Sequence, residues 1–329
     1  MKWCGIIPLF LLHTIPLFAS QPYSLEKIII SKPLELEERY VVDSKYLENS
    51  PIKSIPEAIG LLRIDTQSRS LNYGVQTDFS HRALNFEGLS ILLNGLPIND
   101  PQTGHHNSDI PLTLEDIQSL KLDPLAATVD IASRIPRESK NIFEISRGEH
   151  RTGSGRLSIS EKKENLGLRF SLERAESDGF RYGTDFKTLI ASLLSGIEFS
   201  QEESGFLLLG YGEKEFGAYD FYTPNKDYPS KEWTKTFIFN AGLNLQAQSY
   251  SLRSGFLWRR HFDKFMLDRT QIKSDYLNHH RTDAYRGSLS LALPESFFDF
   301  LCLNAKFEEE RINSTNLGKH SRGNYNISA

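Results

Sequence analysis

The sequence predicts two architectures in succession: a compact mixed α/β domain, then a run of antiparallel transmembrane β-barrel strands. Three observations carry that expectation. An apolar leader opens the chain. From Asn141 onward, hydrophobicity switches to strict period-two alternation. The breaks between the alternating segments are short on one side and long on the other.

Met1-Lys2-Trp3 precedes an apolar run from Cys4 to Ala19, followed by polar Ser20-Gln21. One positive charge, a short apolar core and small residues at its end fit a secretory signal over residues 1–20. The run contains Pro8, His13 and Pro16. It falls short of the roughly 20 apolar residues of a spanning helix. Residues 21–38 are charged and Pro-containing, with one apolar knot at Ile28-Ile29-Ile30.

Residues 39–138 read as one α/β domain of about 100 residues, a usual domain size. Tyr40-Val41-Val42 is a short strand, and Pro56 to Leu62 a helix with Ser54 as its N-cap. Leu89 to Leu93 is a strand that breaks at the turn pair Asn94-Gly95. Leu114 to Ile117 opens a one-turn helix capped by Thr113, and Gln118 to Leu122 is a further strand.

Residues 139–329 alternate. Leu166, Leu168, Phe170 and Leu172 share one face, with Arg169, Ser171 and Glu173 on the other. Phe237, Phe239, Ala241, Leu243 and Leu245 repeat the pattern against Thr236, Asn240, Asn244 and Gln246. Leu157/Ile159, Tyr250/Leu252/Phe256/Trp258, Leu289/Leu291/Leu293 and Leu301/Leu303/Ala305/Phe307 complete it. Alternation over nine or more residues suits tilted membrane strands of about 9–11 residues. A soluble sandwich or propeller alternates too, in shorter strands. Glu161 to Asn165 and Ala247 to Ser249 are short breaks, whereas Glu213 to Thr234 and Asp263 to Thr282 read as long loops. That asymmetry marks the two ends of an outer-membrane barrel.

Composition narrows the function. The chain has 38 Lys+Arg against 42 Asp+Glu, and 11% aromatics at a mean hydropathy of −0.39. Mixed signs and mild acidity exclude a nucleic-acid partner, which needs a basic face. Removing the leader leaves Cys302 as the single cysteine, so neither an internal disulfide nor a thiol metal site is available. Low hydropathy is compatible with a barrel, because only alternate residues face lipid. No catalytic G-x-S-x-G, metalloprotease histidine pair or phosphate-cradling glycine loop is present, and the chain reads as a non-enzyme.

Three clusters invite sharper readings. His105-His106 with Asp100 and Asp109 has metal-ligand chemistry, yet adjacent residues of an extended segment point to opposite sides. No HxH or HxxxH spacing accompanies them, and no metal is expected. His279-His280 falls in what reads as a polar loop. Tyr219, Phe221, Tyr222, Tyr228 and Trp233 suit either an external ligand clasp or an aromatic girdle at a membrane boundary.

The stretch from Asn72 to Pro111 resembles the plug domain of TonB-dependent outer-membrane receptors. The matching residues are Gly74-Val75-Gln76, Asp78, Arg82, Phe86-Glu87, Ile91 to Gly95, and Asn99 through Asn107. Upstream, Ser54 to Ile59 is similar to the first plug helix; downstream, Ile110-Pro111-Leu112 and Glu115-Asp116-Ile117 lead towards the last plug strands. The likeness covers about residues 26 to 125, and the barrel only in style.

The resemblance implies a TonB-box and coupling segment at 21–38, a plug at 39–138 and part of a 22-stranded-type barrel at 139–329. It implies energy-coupled uptake of a scarce, bulky small-molecule nutrient: a ferric chelate, a cobalamin or a glycan. The implied partners are TonB and outer-membrane lipids, with no cofactor, and the implied place is the outer membrane with the plug facing the periplasm. Glu26, Lys27, Ile28, Ile29, Ile30 and Ser31 occupy the TonB-box place, where an extended segment would add to a partner's sheet edge. An ordinary first plug strand is the other reading of that segment. Asn99, Asp100, Gln102, His105, His106 and Asn107 fall at the plug apex, which implies substrate contact. Asn99, Asp100 and Asn107 also suit loop-fixing hydrogen bonds.

The chain departs from the family in four respects. Arg82-Ala83 stands where Arg-Gly is usual, and Asp123 to Asp130 has no glycine where the family is Gly-rich, so that segment should differ in shape. The 191 residues from Ser139 to Ala329 suffice for roughly eight or nine strands, too few to surround such a plug. The chain also ends at Asn326-Ile327-Ser328-Ala329, without a terminal aromatic strand. The expectation is therefore the N-terminal part of a receptor: a fragment, a split gene or a decayed one. A passive channel or adhesin with a plug-like module, and a non-functional remnant, are the rival expectations.

Overall fold

The computed structural model describes residues 40–69, 73, 75–200, 202–222, 225–247, 250–270, 277–293 and 301–328. The leader and the Glu26–Ser31 segment lie outside them.

The α/β domain opens with β1 (Val41–Asp43) and α1 (Ser44–Glu48), a helix the sequence did not suggest. The Asp43 carboxylate caps α1 by accepting from the Tyr46 amide at 2.8 Å. Next comes α2 (Ile55–Gly60), with Ser54 as N-cap and Pro56 in its first turn, as expected. Then follow β2 (Asp65–Ser68), β3 (Thr77–Ser80), β4 (Ser90–Leu93), β5 (Leu96–Pro97), β6 (Ile117–Asp123) and β7 (Thr128–Ser133). Two 3-10 turns, Gly104–Ser108 and Leu114–Asp116, lie between β5 and β6. β2 pairs with β3; the other five strands form a sheet in the order β1-β6-β7-β4-β5, with β4 and β7 parallel.

Local chemistry explains the joints. Asn94 and Gly95 take φ of 52° and 79°, the left-handed pair of a tight hairpin turn between β4 and β5. Thr113 and Asp116 form a capping box, with the Thr113 amide and hydroxyl donating to Asp116 Oδ2 at 2.9 and 3.0 Å. In the glycine-free segment, Ala127 itself adopts φ 48°, and Asp123 steadies the turn by accepting from the Leu125 and Ala126 amides. A non-glycine residue thus takes the left-handed conformation that a glycine would adopt at lower cost.

Ten antiparallel strands follow in one sheet, each beside its sequence neighbours: β8 (Lys140–Arg147), β9 (Gly153–Lys163), β10 (Leu166–Ser177), β11 (Phe186–Glu198), β12 (Ser204–Gly217), β13 (Lys231–Ala247), β14 (Tyr250–Met266), β15 (Leu277–Leu293), β16 (Leu301–Ser314) and β17 (Gly318–Ser328). That is more than the eight or nine expected. The difference arises because residues assigned to loops continue the ladders: Glu213–Gly217, Lys231–Thr234, Asp263–Met266 and Leu277–Thr282 are all paired. His279 and His280 therefore sit within β15, opposite Lys264 and Asp263, rather than in a polar loop. The end strands β8 and β17 each have one neighbour, so the sheet is open among the described residues.

The two faces of this sheet are chemically inverted relative to a water-soluble protein. Leu168, Phe170, Leu207 and Leu209 point outward and are 46%, 42%, 39% and 41% exposed. Ser171, Thr236, Asn240 and Arg259 point inward and are buried. On β13 the outward apolar run from Phe237 to Leu245 extends about 27 Å along the strand. A continuous exposed apolar face of that size marks contact with another apolar phase.

The described residues belong to one compact unit, and the α/β domain packs on the polar inner face of the sheet. Its core (Ile59, Ile91, Leu93, Leu120, Val129) continues into Leu194, Leu208, Ile238 and Leu257 of the wall. A β-carbon at Gly210 would lie 2.6 Å from the Pro111 carbonyl oxygen, so that wall position must stay bare for the domain to approach.

Candidate functional site

The loop from Ile98 to Asp109 is where the α/β domain meets β12 to β15. Phe86 and Glu87 shape it from below. The Gly104 amide donates to Glu87 Oε1 at 2.9 Å, and a β-carbon at Gly104 would lie 2.3 Å from the Phe86 carbonyl oxygen.

The six apex residues separate into two groups. Asn99 is turned into the domain, accepting from the Ile91 amide at 2.9 Å and donating to the Leu89 carbonyl at 2.8 Å. Asn107 accepts from the Asp100 amide at 2.9 Å. Asp100 is buried; its Oδ1 accepts from the Gln102 amide, and its Oδ2 pairs with Arg259 and accepts from Thr282 Oγ1 at 2.9 Å. These three hold the loop to itself and to the wall. Gln102, His105 and His106 instead line a cavity of about 400 Å³, shared with Tyr222, Phe265 and Asn278 at the long-loop end of the sheet. The paired histidines diverge, but from the 3-10 turn Gly104–Ser108 and not from the extended segment the sequence suggested. His105 stacks on Phe86 at 4.0 Å and bonds Asp78 Oδ1 at 2.7 Å through Nδ1, whereas His106 turns into the wall.

Acid on the domain meets base on the wall once more, and backbone carbonyls join in. Lys214 Nζ donates to Asp109 Oδ1 at 2.7 Å and to the Val75 carbonyl at 2.9 Å, and Arg259 also donates to the His106 carbonyl at 3.1 Å. Burial opposes the charge on Asp100, yet Arg259, His261 and His106 outweigh it and hold its carboxyl below the usual range. Burial likewise opposes the charge on Asp109, and Lys214 and His106 pull its pKa down. Burial lowers His106, but Asp109, Asp263 and Glu232 together hold it well above the ordinary histidine value. Deeper in the interface, Asp116 accepts from Ser192 Oγ at 2.6 Å, and Arg169 donates to the Glu115 carbonyl at 2.6 Å.

Of the wall partners, the sequence marks Tyr222 in an aromatic cluster and puts Arg169 on a polar strand face; Lys214, Arg259 and His261 it does not single out, although one signal is present. Arg259, His261 and Asp263 recur at every second position, which puts three titratable groups on the inward face of one strand. Among the described residues, the network consists of charge pairs and hydrogen bonds that hold the domain against the wall.

No protein-family model matches the sequence, and neither does any curated protein. Solved structures do match it. The siderophore receptor PiuA from Acinetobacter baumannii aligns over 88% of this chain and 47% of its own, at 9% identity and a TM-score of 0.58. The pyoverdine outer membrane receptor FpvA from Pseudomonas aeruginosa PAO1, bound to pyoverdine, gives 86%, 48%, 13% and 0.59. The ferric yersiniabactin uptake receptor FyuA from Yersinia pestis gives 87%, 51%, 12% and 0.56. The chain spans about half the length of the structures it matches. Among the described residues, no helix is long and apolar enough to cross a membrane. An α/β domain seated on the polar face of long, outwardly apolar strands is the fold of the TonB-dependent outer-membrane receptors, and this chain has that fold.

Proposed function

We propose that the protein serves energy-coupled uptake across an outer membrane, with an iron chelate as cargo. Residues 39–138 act as the plug and the strands from Ser139 onward as the lipid-facing wall, after removal of a signal at 1–20. The observation that carries the reading is the cavity at the long-loop end, where Gln102, His105 and His106 of the apex loop meet Tyr222, Phe265 and Asn278. A polar and aromatic hollow of about 400 Å³ suits one face of a chelate. The names of the structural neighbours favour ferric chelates over cobalamin or glycan. Glu26–Ser31 is the segment that would couple to TonB by adding a strand to its sheet edge.

The test is radiolabelled iron uptake, across a panel of chelates, by cells that depend on this gene. It compares the full chain with a deletion of Lys27–Ser31, with surface assembly checked by antibody. Loss of uptake with assembly intact is expected. Uptake that survives both the deletion and an uncoupler indicates a passive channel instead. An assembled chain that binds and moves no chelate is a remnant.

A further inference from the structure

We propose that His106, Asp109 and His261 form a binding site for a divalent first-row transition-metal ion such as Zn²⁺, bridging the α/β domain and the wall.

His106 Nδ1 lies 3.6 Å and His261 Nε2 3.8 Å from Asp109 Oδ2. One donor atom from each of the three residues lies within 4.8 Å of the others. Donors so spaced share a centre about 2.1 to 2.4 Å away, close to the length of a zinc bond to nitrogen or carboxylate oxygen. Two imidazoles and one carboxylate are borderline ligands of the kind such ions prefer.

Two of the three donors lack a hydrogen bond and are aimed at the site. Asp109 Oδ2 and His261 Nε2 are buried and have no hydrogen-bond partner among the described residues. The Asp109 and His261 side chains are 5% and 1% exposed. Burying bare polar atoms is costly, and a ligand that uses them removes that cost. Each residue is fixed by its other atom. Lys214 occupies Asp109 Oδ1 at 2.7 Å, and Thr236 Oγ1 holds His261 Nδ1 at 2.8 Å, which presents Nε2 to the site. On the far side of the His106 ring, Nε2 faces Glu232 Oε1 at 3.8 Å and Asp263 Oδ2 at 3.9 Å. The Glu232 carboxylate is itself steadied by the Tyr222 hydroxyl at 2.8 Å. At those distances the two carboxylates act on the ring through charge and not through a hydrogen bond, and they favour a cation beside it.

His106 and Asp109 belong to the apex loop, and His261 belongs to β14. An ion held by all three ties the domain to the wall, in addition to the Asp100–Arg259 and Asp109–Lys214 pairs. Binding at Nδ1 displaces any proton held there, so occupancy falls as pH falls. The donor set contains no cargo atom, although His106 also lines the cavity of the apex loop.

The test uses the full chain in detergent, stripped with a chelator and dialysed. Zn²⁺ affinity is measured by competition with a fluorescent chelator, and Co²⁺ substitution supplies a visible ligand-field spectrum. One equivalent should bind tightly, and X-ray absorption of the Zn²⁺ form should show nitrogen and oxygen ligands including two imidazoles. His261→Ala should weaken binding at least about 100-fold and Thr236→Val about 10-fold, with His105→Gln and His320→Gln unchanged. Zn²⁺ should also slow proteolysis of the apex loop in the wild type and not in His261→Ala. The idea fails if the folded wild-type chain shows no saturable binding, or if binding survives both His261→Ala and Asp109→Asn. Loss in Glu232→Gln equal to that in His261→Ala would move the ion to the other side of the His106 ring and overturn this assignment.

Discussion

At the scale of single residues, the domain is held to its wall by buried charges that cannot be left alone. Arg259 and Asp100 are both almost completely buried, and the guanidinium also serves the His106 carbonyl. Arg259→Met should destabilise the seated domain by about 3–5 kcal/mol, because it strands a carboxylate. Adding Asp100→Asn should recover most of that loss. Urea unfolding in detergent, followed by tryptophan fluorescence, measures both. The pH profile has a defined sign. The Asp100 carboxyl titrates below its ordinary 3.8 in the folded chain, so its contribution is complete above that value and is lost as pH falls through the depressed one. Wild-type stability should therefore fall on that acid limb, and Arg259→Met should flatten it. An unchanged limb in the variant would show that the pair does not govern acid stability.

At the scale of elements, the fit of loop to strand depends on small residues where backbone meets backbone. Gly210 on β12 leaves room for Pro111, and Gly104 leaves room for Phe86. Gly210→Ala places a methyl 2.6 Å from a carbonyl oxygen, so either β12 or the loop must shift. Faster proteolysis of the loop after Pro111 is expected, with the strands themselves still protected. Protease rates equal to wild type would show that the wall absorbs the methyl without moving the domain. Much of this level was legible beforehand: Ser54 before Pro56, Asn94-Gly95 and Thr113 each announced their element through capping or turn chemistry. The strand ends were not legible. Polar segments such as Glu213–Gly217 and Leu277–Thr282 look like loops, but the ladder continues through them because their inward polar side chains find partners on the domain and on neighbouring strands.

At the scale of the whole molecule, the governing feature is the inverted sheet, apolar outside and polar against the domain. A soluble protein would hide Leu168, Phe170, Leu207 and Leu209, which here form part of a continuous outer belt. Leu209→Arg in mid-belt should cost about 2–4 kcal/mol of membrane insertion, whereas a change on the inner face should alter only seating. Outer-membrane fractionation of cells expressing each variant distinguishes them. Equal recovery of Leu209→Arg and wild type in the membrane fraction would contradict a lipid-facing belt.

The sequence by itself determined which residues share a face, because strand periodicity is local and survives without knowledge of any partner. It also determined the turns and caps, whose chemistry spans only a few residues. Which inward group meets which was decided by tertiary structure alone. Asp100 and Arg259 are 159 positions apart, and Asp109 and Lys214 105 apart. Alternation fixes the side of the sheet on which a charge stands, but not its height. Height comes from the register of successive ladders and from the depth to which the domain sits. That is why the sequence shows His106 only as one of two adjacent apex-loop histidines, whereas in the fold it faces His261, Asp263 and Glu232 from strands far along the chain.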